Sequence, residues 1–260
     1  MQPLQHTFLD PAAIAREYLT PAGRRKVLRQ PKVDLPRTDL NIPHEDGQLA
    51  VRAWGEGQPV LLVHGWAGDQ SDMFSYVPIL TASGFRVVTM DLPAHGESSG
   101  DCASIEQLAD GILTVGRYFD RLKAIIGHSV GSAALSMAIT KGLVVDKAVL
   151  LAPPESYENF ARYFAMTKGL NPDQVEEMIG HLRAAGVRVN ITTSELVATF
   201  DLPGLIVHSS DDQIISAKTS QIISQKWTNS IFLPVHELGH RGVLRDQNVI
   251  STVCDFISSK

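Results

Sequence analysis

Cysteine is scarce in this chain: only Cys102 and Cys254 occur among 260 residues. Two cysteines make no disulfide framework. Such usage fits a reducing compartment, and a cytoplasmic location is expected. Long apolar runs are missing too. No stretch approaches the ~20 apolar residues of a membrane span. The opening MQPLQHTFLDPAAIAREYL carries an early acid and lacks the continuous apolar stretch of a signal peptide. Positive charge is in deficit, with 23 Lys and Arg against 28 Asp and Glu. A chain of net charge -5 has no field with which to gather nucleic acid. Its one basic run, GRRKVLR at 23–29, is short and reads as a solvated helix face. Internal repeats and low-complexity tracts are absent as well. What is left is an ordinary globular composition, 44% hydrophobic and 20% charged, on a chain long enough for one deep core.

Residues 1–40 read as a helix followed by a linker punctuated by proline (QPKVDLPRTD). From there a rhythm sets in. Short apolar runs (LAVRAW, PVLLVHG, FRVVTMD, LKAIIGHS, DKAVLLAPP, LPGLIVHSS, SIFLPVHE) alternate with amphipathic or turn-rich spacers. Most of the runs are near-continuous in Val, Ile and Leu. That is the signature of strands buried on both faces. The spacers SDMFSYVPILTASG, SIEQLADGILTVGRYFDR and GSAALSMAITKGL read as crossover helices. The expected fold is therefore α/β, with a mostly parallel central sheet and helices on both faces. The core should take up residues 41–154 and 201–260. Residues 155–200 hold no strand-like run and read as a small helical cap. There, Asn171 and Pro172 are a helix start, and Val175, Met178, Ile179 and Leu182 share one helical face.

The stretch IIGHSVGSAAL places Gly127-His128-Ser129-Val130-Gly131, a G-x-S-x-G pattern, between a buried strand and a small-residue helix. A serine there sits in a tight turn. Glycines two before and two after keep side chains from colliding, and the hydroxyl projects from a helix N-terminus. Such a hydroxyl needs a base, and the base needs an acid to fix its tautomer. Of the histidines downstream, His181 falls on a polar helix face and His208 ends a buried strand, which leaves His236 and His240. Asp211 and Asp212 lie just past a strand end, the edge on which open α/β sheets build their sites.

LLVHGWAGD, MDLPAHGESSG, IIGHSVG, LIVHSSDDQIIS and LGHRGVLRD, in that order, resemble the signature blocks of the α/β-hydrolase family across residues 48–257. The resemblance implies Ser129 as nucleophile, His240 as base and Asp212 as acid. Asp211 stands as an alternative acid, because Ser209 replaces a glycine of the family's H-G-x-x-D block, and Glu155 as a weaker one, because some members of the family carry the acid after the preceding strand. It further implies the backbone N–H groups of Trp66 and Val130 as oxyanion donors. His64 and His95 would be structural. Ala94 stands where the family has glycine, in a loop without mechanistic consequence.

His236-Glu237-Leu238-Gly239-His240 also matches H-E-x-x-H, a zinc-protease helix. That reading needs both histidines on one helical turn and a third ligand. The strand-like SIFLPV in front, Gly239 inside, and only Asp246 and Asp255 downstream argue against it.

The expected activity is hydrolysis of a small-molecule carboxylic ester or thioester through an acyl-enzyme, with no metal or organic cofactor required. Carbon–carbon hydrolases, perhydrolases and acyltransferases share the constellation. A non-catalytic binding protein and a zinc hydrolase are the rivals from other classes. Trp66, Tyr157, Phe160 and Phe164 are the expected pocket wall, with Tyr163 and Met166 beside them. Oligomeric state is not legible.

Overall fold

A computed structural model describes residues 9–22, 34–45 and 47–259. The basic run at 23–29 lies outside them. Eight strands form one sheet: β1 (Arg37–His44), β2 (Gly47–Trp54), β3 (Pro59–Val63), β4 (Arg86–Met90), β5 (Leu122–His128), β6 (Val145–Leu151), β7 (Gly204–Ser209) and β8 (Ser230–Val235). Their spatial order is β1-β2-β4-β3-β5-β6-β7-β8. β1, β2 and β4 pair antiparallel, and every pair from β4 to β8 is parallel. All seven expected runs are strands.

β1 is the strand that the pattern concealed. It falls partly inside the segment expected to be a linker, and it pairs residue for residue with β2 from Arg37↔Trp54 to His44↔Gly47. As an edge strand it is mostly exposed. It therefore shows only a short piece, Leu40 and Ile42, of the apolar alternation that marks a half-buried strand.

The sheet is packed on both faces, and neighbouring residues of one strand point to opposite sides. Leu61, Val63 and Ile125 enter one apolar cluster. Val60, Leu62, Ala124 and Ile126 enter the other. The first face is covered by α3 (Ile105–Tyr118) and α4 (Val130–Thr140), the second by α2 (Val77–Ala82) and the closing helix α10 (Gln247–Ser258). α1 (Pro11–Leu19) packs against the first cluster through Ile14, Ala15 and Tyr18.

One spacer differs in detail from expectation. Residues 70–82 form a 3₁₀ turn, Gln70–Tyr76, before α2, with Pro78 in the first turn of the second helix. The closing segment splits into α9 (Gly239–Gly242) and α10, because Asp246 caps the latter through Val249 N–H.

Between β6 and β7 lie α5 (Tyr157–Thr167), α6 (Pro172–Ala184) and α7 (Thr193–Val197). Asn171 and Gln174 close a capping box at the start of α6. Val175, Met178, Ile179 and Leu182 are buried and join the first cluster. α7, and α8 (Lys218–Lys226) after β7, have no strong apolar stripe in the sequence and appear only in the structure. Among the described residues no helix is long and apolar enough to cross a membrane.

Candidate active site

The sheet changes winding direction between β3, which pairs with β4 on one side, and β5, which pairs on the other. Loops leaving the carboxyl ends of such neighbours diverge and open a crevice. Val63 lies opposite Gly127 in the register, so the His64-Gly65-Trp66 loop and the Ser129 turn emerge at the same level.

Ser129 has φ 54° and ψ −126°, a left-handed conformation that costs a non-glycine residue ~1–3 kcal/mol. Backbone bonds hold it there: Ser129 N–H donates to Leu151 O at 2.9 Å, and Ser132 N–H to Ser129 O at 2.8 Å. The flanking glycines are required by close approach. A Cβ on Gly127 would lie 2.4 Å from Leu135 Cδ2, and one on Gly131 would lie 2.4 Å from His64 O. The Ser129 side chain does not cap α4, so its hydroxyl is not spent on the helix. Val130 opens α4, where a first-turn N–H has no partner inside the helix.

Asp212 follows β7 and is held by four donors. Its Oδ1 accepts the N–H groups of Ile214 (2.8 Å) and Ile215 (3.0 Å). Its Oδ2 accepts His240 Nδ1–H (2.7 Å) and His208 Nε2–H (3.1 Å). Burial alone would raise this carboxyl. The bonds from His208, His240, Ile215 and Ile214 outweigh it and hold the group far below the ordinary carboxylate range. Because a carboxylate only accepts, His240 carries its proton on Nδ1 and presents Nε2 as a base.

His128, one residue before Ser129, lies against His240 with ring centroids 4.7 Å apart. Its Nε2–H donates to His240 O at 2.8 Å. Burial, with the neighbouring His240 adding to it, pushes His128 down to about 3, so it stays neutral. The turn before Ser129 is thereby tied directly to the loop carrying His240.

The alternative acids lie elsewhere. Asp211 is exposed and accepts from the Ser209 hydroxyl and from Gly239 N–H (3.2 Å), so it braces the loop of His240 rather than its ring. The Ser209 hydroxyl also accepts from Leu238 N–H at 3.1 Å, which gives the serine in place of glycine a bracing part. Glu155 accepts from Ser194 Oγ (2.5 Å) and Ser194 N–H (3.2 Å), away from either histidine.

His64 donates from Nδ1 to Gly65 O (2.7 Å) and accepts Leu92 N–H on Nε2 (3.0 Å), which pins the Trp66 loop to the loop after β4. His95 Nδ1 is 2.8 Å from Pro93 O. Ala94 has φ 65°, which explains why glycine suits that position. His181 is exposed beside Glu177.

His236 and His240 do not share a helical turn. β8 ends at Val235, Glu237 has φ 60°, and the helix starts only at Gly239. His236 Nδ1 bonds to Ser210 Oγ (2.8 Å), while His240 turns to Asp212. Among the described residues no three His, Cys, Asp or Glu side chains gather as a metal site.

A pocket beside Ser129 is lined by Trp66, Val130, Tyr157 and Phe160, and also by Ile105 and Ile191. Phe164 is not part of the wall. It packs on Tyr18, ring centroids 5.3 Å apart, because it faces the N-terminal helix. Tyr163 and Met166 point outward and are exposed. Sequence reasoning missed two residues here. Tyr18 of α1 is buried against Trp66, Tyr157 and Phe160 and backs the pocket wall. His208, expected only to end a strand, shares Oδ2 of Asp212 with His240. A histidine four residues before an acid at a strand end was the available signal.

A family model described as the alpha/beta hydrolase family matches residues 60–213. A serine hydrolase-like protein of Homo sapiens is 34% identical over 125 residues, covering 45% of this chain and 61% of that relative. A pimeloyl-[acyl-carrier protein] methyl ester esterase of Vibrio cholerae is 32% identical over 121 residues, covering 46% and 44%. The chain thus spans about half the length of the curated relatives it matches. Among solved structures, an esterase of Pyrococcus furiosus superposes with a TM-score of 0.71 at 15% identity, covering 90% of this chain and 98% of that one. At that identity the likeness is one of fold.

Proposed function

The chain belongs to the alpha/beta hydrolase family, and from that premise we propose that it is a serine hydrolase cleaving a carboxylic ester or thioester. Ser129 is the nucleophile, His240 the base and Asp212 the acid that orients it. The observation that carries this reading is the 2.7 Å bond from His240 Nδ1 to Asp212, made by a histidine packed on the residue preceding Ser129.

In the first half-reaction Ser129 Oγ attacks the carbonyl carbon, and its proton passes to His240 Nε2. Negative charge on the carbonyl oxygen is met by the N–H groups of Trp66 and Val130. Each such donor typically contributes ~3 kcal/mol to the transition state. The bond to the leaving group breaks as His240 returns the proton to the departing oxygen or sulfur, which leaves an acyl-Ser129. Water then gives a proton to the same nitrogen and attacks the acyl carbon; the bond to Ser129 Oγ breaks, His240 returns the proton to that oxygen, and the acid is released. Residues 155–200 act as the cap over this centre, and Trp66, Tyr157 and Phe160 bound its acyl side.

A fluorophosphonate probe is expected to label the native protein and not Ser129→Ala, with p-nitrophenyl ester hydrolysis lost in the same variant. Hydrolysis that survives in Ser129→Ala overturns the proposal. So does a folded wild type that the probe leaves unlabelled.

A further inference from the structure

Two spaces of very different size share part of a wall, and Ser129 lines the smaller of them. The inner one, walled by Ser129, Trp66 and Val130, has only about 30 Å³ of free volume. So tight a space suits a short acyl group. The outer one has about 390 Å³ and shares Pro154, Glu155, Phe160 and Ile215 with the inner wall. Its far side carries Tyr163, Ile214 and Ile222, which are 60%, 63% and 44% exposed. Isolated exposed apolar side chains are ordinary; three around one groove that shares a wall with the space beside Ser129 are not.

The chemistry sets which half of a substrate goes where. The leaving group receives its proton from His240, so it must depart on the side where Asp212 holds that ring. Gln213, Ile214 and Ile215 follow Asp212 in the chain, and all three line the outer groove. The carbonyl oxygen points to Trp66 and Val130, both on the inner wall.

Resting on the serine-hydrolase reading, we propose that this site takes esters or thioesters of a short acyl group, acetyl to butyryl, with a long apolar alcohol or thiol. Ile214, Ile222 and Tyr163 select the leaving group, and Ile105 and Ile191 limit the acyl chain. In each turnover the bond from carbonyl carbon to the large leaving group breaks, its oxygen or sulfur gains the proton from His240, and a small acyl group stays on Ser129.

The test crosses two substrate series in a pH-stat assay of the full chain: ethyl esters from acetate to octanoate, and acetates from ethyl to octyl. Wild-type kcat/KM is expected to drop at least tenfold beyond butyrate. Along the alcohol series it is expected to rise about threefold per methylene over the first few carbons. Ile222→Asp, at an exposed position that folding tolerates, should cut the octyl acetate to ethyl acetate ratio about tenfold. Ile231→Asp, exposed on β8 outside the groove, should leave that ratio unchanged. Ile191→Ala should raise the hexanoate to acetate ratio about tenfold. Wild-type preference for octanoate over acetate, or equal shifts from Ile222→Asp and Ile231→Asp, overturns the partition while the Ser129 chemistry stands. Failure to turn over any ester overturns both.

Discussion

Replacing Asp212 by asparagine isolates what its charge and acceptor capacity do. The native carboxylate receives two backbone N–H groups on Oδ1 and two imidazole N–H groups on Oδ2. An amide cannot accept on both sides. With its oxygen on Ile214 and Ile215, its NH₂ faces the histidines, and His240 must shift its proton to Nε2, the wrong tautomer for a base. That arrangement forfeits the bond from His208 Nε2 to Ile215 O (2.9 Å). The flipped amide keeps the right tautomer but sets its NH₂ against two N–H donors. The unproductive form is therefore favoured by about one buried hydrogen bond, ~1–3 kcal/mol. Loss of a charge-assisted bond to the imidazolium adds ~1.5–3 kcal/mol in the transition state. At ~1.4 kcal/mol per decade the sum is a drop of about 10²–10⁴ in kcat. Asp211→Asn keeps an oxygen for Ser209 and Gly239 N–H and should stay within about fivefold of wild type. The assay is p-nitrophenyl butyrate hydrolysis, with circular dichroism to show that both variants fold. The reasoning fails if Asp212→Asn keeps more than a tenth of its activity, or if Asp211→Asn loses a hundredfold.

Gly65→Ala would place a Cβ 3.0 Å from His128 Nδ1 and 3.2 Å from Ser129 Cβ. Pushing the Trp66 loop off Ser129 should, on the proposed roles, lower kcat/KM roughly 10–100-fold with Tm little changed; unaltered kinetics would show that the loop yields at no cost. His128 is neutral in the fold, its value pushed down to about 3. The unfolded chain protonates it below about 6.5, so stability drains as pH falls from there towards 3, by ~2.7 kcal/mol at pH 4.5. Urea unfolding of His128→Asn at pH 7 and 4.5 should show a smaller acid loss than wild type, and an equal loss would contradict the assignment. Ala94→Gly relieves a φ of 65° that costs alanine ~1–2 kcal/mol, against ~0.4–1 kcal/mol of added chain entropy. Calorimetry should find Tm higher by about 2 °C, and a fall would mean that the Ala94 methyl packs better than its backbone suffers.

The strand rhythm, the strand-to-helix turn at Ser129 and the helical stripe at 175–182 were legible in the residues themselves, because periodicity and turn chemistry are properties of neighbours in the chain. β1 was not, since an exposed edge strand is held by its partner, and its apolar alternation is only Leu40 and Ile42. Composition and spacing do not separate Asp211 from Asp212; only the family resemblance favours Asp212. Both lie in the turn after β7, and how that turn docks against the loop after β8 decides which one meets a histidine 28 positions away. The same limit hid His208 on Asp212, Tyr18 behind the pocket and the withdrawal of Phe164 from its wall. Each depends on how separate elements dock, which side-chain volume and register fix together in three dimensions.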